Sequence, residues 1–264
     1  MDIHVSRRSA LGVLVGGAAV CAWPRSIAAA PPSLSLAEVI ARHTRARGGA
    51  ERLDRVRSVS IYPTITEKGS VLRAHYLCTD APAWRIDIYA DAHHVFSEGL
   101  DAAGPWLWPA GDAKPHDAVA DARKTGIQGI EFNLYGLHRF PSRGHSLFLE
   151  GREAIGGTNY YVVRVHMKDS YETHLFINPH GWMIERRRDF RAFHPDVDPT
   201  KVYAEKVYSD FRTVDGIVSP FSEVQRNWKT GQVINTTITG SMTYNPAIHP
   251  GELDRSYKAP DALS

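Results

Sequence analysis

A chain of 264 residues carries 31 Lys+Arg against 29 Asp+Glu, a formal net charge of +2. Residues 1–30 read as an export signal. Without them Arg7, Arg8, Arg25 and Asp2 are lost, Lys+Arg falls from 31 to 28 and Asp+Glu from 29 to 28, and a nucleic-acid partner loses its compositional support. Of the two cysteines only Cys78 then remains, so no intrachain disulfide is available and stability has to come from packing.

Ser6-Arg7-Arg8-Ser9-Ala10-Leu11 is a twin-arginine pattern, followed by the apolar run Leu11–Ala22 and the small residues Ala28-Ala29-Ala30. That order predicts a signal cleaved near Ala30 and a periplasmic product. The apolar run is short for a membrane span of about 20 residues. Val20 before Cys21 does not suit the small residue that lipidation needs. The remainder, 31–264, has the length of a single domain, enough to bury roughly 70% of its unfolded surface.

After Pro31-Pro32, Ser35-x-x-Glu38 is a capping box. Leu36, Val39, Ile40 and His43 follow with helical spacing, and Gly48-Gly49 ends the helix. From Arg57 the period becomes two, and strands are expected at 57–67, 70–78, 83–90, 93–99 and 104–109. In the third, Trp84, Ile86 and Ile88 share a face opposite Arg85, Asp87 and Tyr89. Residues 116–140 turn helical: Asp117–Thr125 is helix-compatible, Gly126 is expected to break it, and Ile127–Arg139 resumes.

The stretch 145–191 reads as four consecutive strands, with turns at Gly156-Gly157, Lys168-Asp169-Ser170 and Pro179-His180-Gly181. In its second strand Tyr161, Val163, Val165 and Met167 fall on one face. In its last, unbroken alternation puts Arg186 and Arg188 with Trp182 and Ile184, and Arg187 opposite. His194–Thr200 is a polar loop, strands 202–212, 217–228 and 232–244 follow, and Pro246–Ser264 is a proline-punctuated tail. The short loops demand antiparallel neighbours. The class expected is α+β: a large, curved antiparallel sheet of about 11 strands, with helices lidding its concave face.

Several of these stretches resemble the LolA/LolB-like superfamily of periplasmic lipoprotein carriers. They are Ala46-Arg47-Gly48-Gly49-Ala50-Glu51-Arg52-Leu53 with Val56-Arg57-Ser58, then Gly144–Glu153, then Gly157-x-x-Tyr160-Tyr161-Val162-Val163. Ser209-Asp210-Phe211-Arg212-x-Val214-Asp215-Gly216-Ile217, Pro220 and Tyr244-Asn245-Pro246 complete the set. The resemblance spans most of 31–264 and rests on turn glycines and strand patterns, so it speaks to fold. It implies an incomplete β-barrel whose helices lid a hydrophobic cavity for lipid or lipoprotein acyl chains. The carriers' cavity arginine maps onto no single residue here; Arg164, Arg186 and Arg188 are the candidates. The carriers generally use the ordinary secretion route, which sets the twin-arginine pattern apart.

Catalytic and metal signatures are missing from the sequence. His93-His94 point to opposite faces of a strand, and His166, His174 and His180 come with no carboxylate pattern. There is no HExxH, CxxC or G-x-S-x-G, and Gly126-x-x-Gly129 is too sparse for a phosphate loop. Cys78, in an alternating strand, reads as a small buried hydrophobe. The reading is therefore a non-catalytic carrier without metal or cofactor. Its expected cavity lining is Trp84, Ile86, Ile88, Tyr161, Val163, Val165, Met167, Trp182, Arg186 and Arg188. The rival is an envelope sensor that binds a membrane-protein partner through the same fold; a metal-dependent enzyme comes third.

Overall fold

The structure, a computed structural model, describes residues 34–192 and 199–263. The expected signal and most of the 194–200 loop therefore lie outside the described residues. Helix α1 (Leu36–Ala46) opens on the predicted box: Glu38 N donates to Ser35 Oγ at 3.3 Å and Ser35 N donates to Glu38 Oε2 at 2.8 Å. A single turn, α2 (Ala50–Leu53), leads into β1 (Ser58–Glu67), β2 (Ser70–Thr79), β3 (Ala83–Ala90), β4 (His93–Asp101), β5 (Gly104–Pro109) and the two-residue β6 (His116–Asp117). Helix α3 (Ala120–Leu134) and two 3₁₀ turns, Leu137–Arg139 and Pro141–Arg143, interrupt the strands. Then come β7 (Ser146–Ile155), β8 (Thr158–His166), β9 (Glu172–Ile177), β10 (Ile184–Arg191), β11 (Val202–Val214), β12 (Ile217–Asn227) and β13 (Val233–Tyr244).

These form one thirteen-stranded antiparallel sheet in the order β6-β5-β4-β3-β2-β1-β13-β12-β11-β10-β9-β8-β7. Each half is a meander, and the pairing of β1 with β13, from Val59↔Tyr244 to Glu67↔Asn235, joins them. The sheet does not close, so β6 and β7 are its edges. The segment carrying α3 leaves one edge and enters the other, so it has to cross one face of the sheet. The packing of Ile130 and Leu134 on Val59 and Cys78 puts it over the concave face as a lid.

Two apolar clusters hold the helices down. Val39, Ile40, Leu137 and Phe140 pack on Val163, Val165, Met167, Leu175 and Ile177. Leu53, Ile130 and Leu134 pack with Val56, Val59, Cys78, Ile217 and Tyr244. Each fully buried aliphatic side chain contributes about 1.5–3 kcal/mol of transfer free energy. The end of α1 is fastened by its backbone: Val218 N donates to Arg47 O at 3.0 Å, and a side chain at Gly48 would collide with the Gly216 carbonyl.

Gly126 does not break α3. A helix-interior glycine costs about 0.5–1 kcal/mol relative to alanine, yet here any Cβ would overlap the indole Nε1 of Trp84. The glycine lets the lid settle on Trp84, and packing outweighs propensity.

On the convex face the tail covers a buried polar group. Arg85 Nε donates to Asp87 at 2.8 Å, and its Nη1 donates to the carbonyls of Asp254 (3.2 Å) and Tyr257 (2.9 Å). Arg255 reaches Asp101 at 2.8 Å, fastening the tail a second time.

Candidate functional site

A cavity of about 420 Å³ lies between the concave face and the helices. Its apolar wall comes from Val59 and Ile61 of β1, Ile86 of β3, Met242 of β13 and Phe132 of α3. Its polar wall comes from Arg187 and Arg191 of β10, Lys206 and Tyr208 of β11, and Glu223 of β12, with His43 and Arg47 at the α1 end. That size is within the range of small-molecule pockets, roughly 300–1,000 Å³.

Arg187 is the central cation. Its side chain is only 9% exposed, and its guanidinium carbon sits 4.2 Å from the centre of the Phe132 ring, so the charge touches the lid. Nη2 donates to Tyr171 Oη at 2.6 Å and lies 3.4 Å from Asp189 Oδ2. Burial works against the charge, but the neighbouring Tyr171 and Asp189 oxygens outweigh it and hold the guanidinium protonated. Asp189 is shared, because it also accepts from the Tyr171 hydroxyl and lies 3.6 Å from Arg191 Nε. Lys206 is matched by Glu223 at 2.7 Å.

His43 is neutral. Burial depresses its pKa to about 4, helped by the nearby Arg47 charge. Its Nδ1 lies 2.7 Å from the Trp182 carbonyl oxygen, which only accepts, so the proton is on Nδ1. Nε2 is then an acceptor, buried without a partner among the described residues.

The lid is pinned at its C-terminal end. Arg143 donates to both oxygens of Glu131, at 2.5 and 2.7 Å, and His145 Nε2 lies 3.3 Å from the same carboxylate. Burial alone would raise the Glu131 pKa; the Arg143 and His145 contacts reverse this and hold the carboxyl below its ordinary value.

A second hollow, about 970 Å³ and more open, runs along the outer side of α1. Leu36, Ile40, Leu137, Leu147 and Phe148 line it beside the unpaired edge of β7.

The ten residues expected to line a cavity fall into three settings. Ile86 lines the 420 Å³ cavity. Trp84, stacked on the cavity residue Tyr76 with centroids 6.2 Å apart, and half-buried Ile88 share its face on β3. Val163, Val165 and Met167 are sealed under α1 and the first 3₁₀ turn, and partly buried Tyr161 and Trp182, stacked with centroids 5.6 Å apart, pack against that cluster.

Arg186 and Arg188 are on the convex face, donating to Glu205 at 3.1 and 2.8 Å. The reason is a bulge: Ile184 pairs with Ile177 but Arg186 pairs with Phe176, so Glu185 is an extra residue that shifts the alternation by one. Ile184 and Arg187 consequently share the cavity face. Arg164 is also away from the cavity, bonded to Glu150 at 2.6 Å and Glu172 at 3.1 Å. No sequence signal marks the bulge, and the phase set by Trp182 and Ile184 holds only up to it. His43 was legible only as one position of an amphipathic helix.

No family model matches the sequence, and no curated protein matches it. Solved structures do. A LolA superfamily protein from Nitrosomonas europaea aligns with a TM-score of 0.55 at 12% identity, over 85% of this chain and 100% of that one. A DUF1329 family protein from Desulfovibrio piger aligns at 0.50 and 11%, over 85% and 99%. An outer membrane lipoprotein-sorting protein domain from Vibrio parahaemolyticus aligns at 0.50 and 10%, over 81% and 94%. At such identities the likeness is one of architecture, and it agrees with the resemblance carried by the turn glycines: the chain has a LolA-like fold.

Proposed function

We propose that this is a periplasmic, non-catalytic carrier that holds an apolar ligand, a lipid or a lipoprotein acyl chain, between the curved sheet and its helical lid. The observation that supports it best is the 420 Å³ cavity with one apolar wall, roofed by helix α3, which packs across the concave face. Burial of alkyl groups would drive binding at about 0.8 kcal/mol per methylene. The test is mass spectrometry of solvent extracts from protein purified out of the periplasm, paired with displacement of a fluorescent fatty-acid probe. A copurifying or exchangeable lipid is expected; repeated absence of both overturns the reading. Export is tested separately: Arg7→Lys/Arg8→Lys should leave uncleaved precursor in the cytoplasm, and unchanged processing would refute twin-arginine transport.

A second reading is supported by the β7 edge. The outer edge of β7, unpaired among the described residues and bordered at Ser146, Leu147 and Phe148 by the apolar groove, suits an extended segment of an envelope membrane protein, added as a further strand. A stoichiometric membrane-protein partner recovered without lipid would favour it over the carrier.

A further inference from the structure

The cavity is not the plain apolar slot that an alkyl chain alone requires. Arg47, Arg187, Arg191 and Lys206 line it against Glu223, with Asp189 hydrogen-bonded to Arg187 and 3.6 Å from Arg191. Lys206 and Glu223 cancel, and Arg47 donates to the Val218 carbonyl rather than to a carboxylate, so among the described residues the wall carries positive charge. A buried charge without a full partner is costly, and it is commonly matched by a counter-ion.

Arg187 is the point where that excess meets the apolar surface. One edge of its guanidinium is held by Tyr171 and Asp189, one face lies on Phe132, and Nε is buried with no partner among the described residues. Arg186 on the same strand also leaves Nε unpaired. The unpaired nitrogen is therefore not the signal by itself; what distinguishes Arg187 is the open volume beside it. Val59, Ile61, Ile86 and Met242 supply the apolar surface of that volume.

We infer that the ligand is a single-chain amphiphile with an anionic head, carboxylate or phosphate, paired with Arg187, and with its alkyl chain along the β1–β3–β13 wall. Arginine suits either head, since its planar fork matches both oxyanions. The acceptor-only Nε2 of His43 offers a further partner to a ligand hydroxyl.

This inference rests on the carrier reading, and the experiment separates the two. Full-length exported protein, stripped of lipid, is titrated with palmitate, lysophosphatidic acid and the neutral hexadecanol, each displacing the same fluorescent probe. Palmitate, lysophosphatidate or both should bind about tenfold more tightly than hexadecanol or better, the factor expected of a charge-assisted hydrogen bond. Which of the two binds identifies the head.

Arg187→Gln should abolish the preference, whereas Arg188→Gln on the convex face should preserve it. If Arg187→Gln fails to fold, Arg187→Lys and a salt titration of the unaltered protein decide: the lysine variant keeps most of the preference, and salt weakens anionic binding only. Equal affinity for charged and neutral chains, or a preference that survives Arg187→Gln, overturns the inference while sparing the carrier. If no chain displaces the probe, the carrier reading falls as well.

Discussion

Strand β10 presents Arg186, Arg187 and Arg188 in a row, and the two faces of the sheet treat them differently. On the convex side Arg186, Arg188 and Arg226 converge on Glu205, whose side chain is 1% exposed. Arg188 also reaches Glu153 at 2.7 Å and stacks on Phe176 and Trp228. In that cluster each guanidinium meets a carboxylate of the protein, although Arg188 also borders a separate hollow of about 560 Å³. On the concave side Arg187 has Tyr171 and half of one carboxylate, and it borders a cavity. Three like residues in sequence thus divide into a structural clasp and a candidate binding group. The lesson is that a charge run carries no function until burial and counter-charges are known.

The comparison breaks most sharply at Glu205. Glu205→Gln leaves three guanidinia around a buried neutral amide and should cost about 3–5 kcal/mol in urea unfolding, with ligand preference unchanged. Burial alone would raise the Glu205 pKa, but Arg226 and Arg188 override it and depress the carboxyl. Its stabilisation is therefore present above the unfolded pKa, near 4.5, and is lost as pH falls through the lower folded value.

The cavity side titrates in a higher window. His43 has a folded pKa of about 4 against an ordinary 6.5, so the unfolded chain takes up the proton first. Its contribution is complete above pH 6.5 and is lost between 6.5 and 4. The His43 share of the stability lost between pH 7 and 5 should be about 2 kcal/mol. His43→Gln should remove that share, leaving the slope from His75 and His94, whose pKa values burial also lowers. An unchanged slope would place the titrating group elsewhere.

Gly126→Ala sharpens the role of the lid. The added methyl meets Trp84, and after a gain in helix propensity the net cost should be about 1–2 kcal/mol, read from thermal unfolding and from faster exchange of α3 amides. The smallest effect is expected at the residue of greatest functional interest. Arg187→Met should change stability by no more than about 1 kcal/mol, because Arg191 and Tyr171 remain on Asp189 and a buried charge is removed. A loss of several kcal/mol would mean that Arg187 is as structural as the Glu205 arginines.

Much of the architecture was legible because it depends on local rules. The Ser35–Glu38 cap, the glycine turns and the alternation in β1–β5 and β7–β9 are nearest-neighbour chemistry, and each element formed close to its expected bounds. The continuous α3 was not legible: Gly126 reads as a breaker until Trp84, forty-two positions earlier, is brought against it. Nor was the cavity legible. Val163, Val165 and Met167 have the same pattern as Ile86, and only the seating of α1 decides which apolar faces are sealed.

By itself, then, the sequence determined a curled antiparallel sheet with helical segments placed to cover it, since period, turn chemistry and loop length are properties of short stretches. The tertiary structure alone decided which arginine faces inward. One inserted residue at Glu185 reverses every side chain after it, and the bulge exists only in the pairing of β10 with β9.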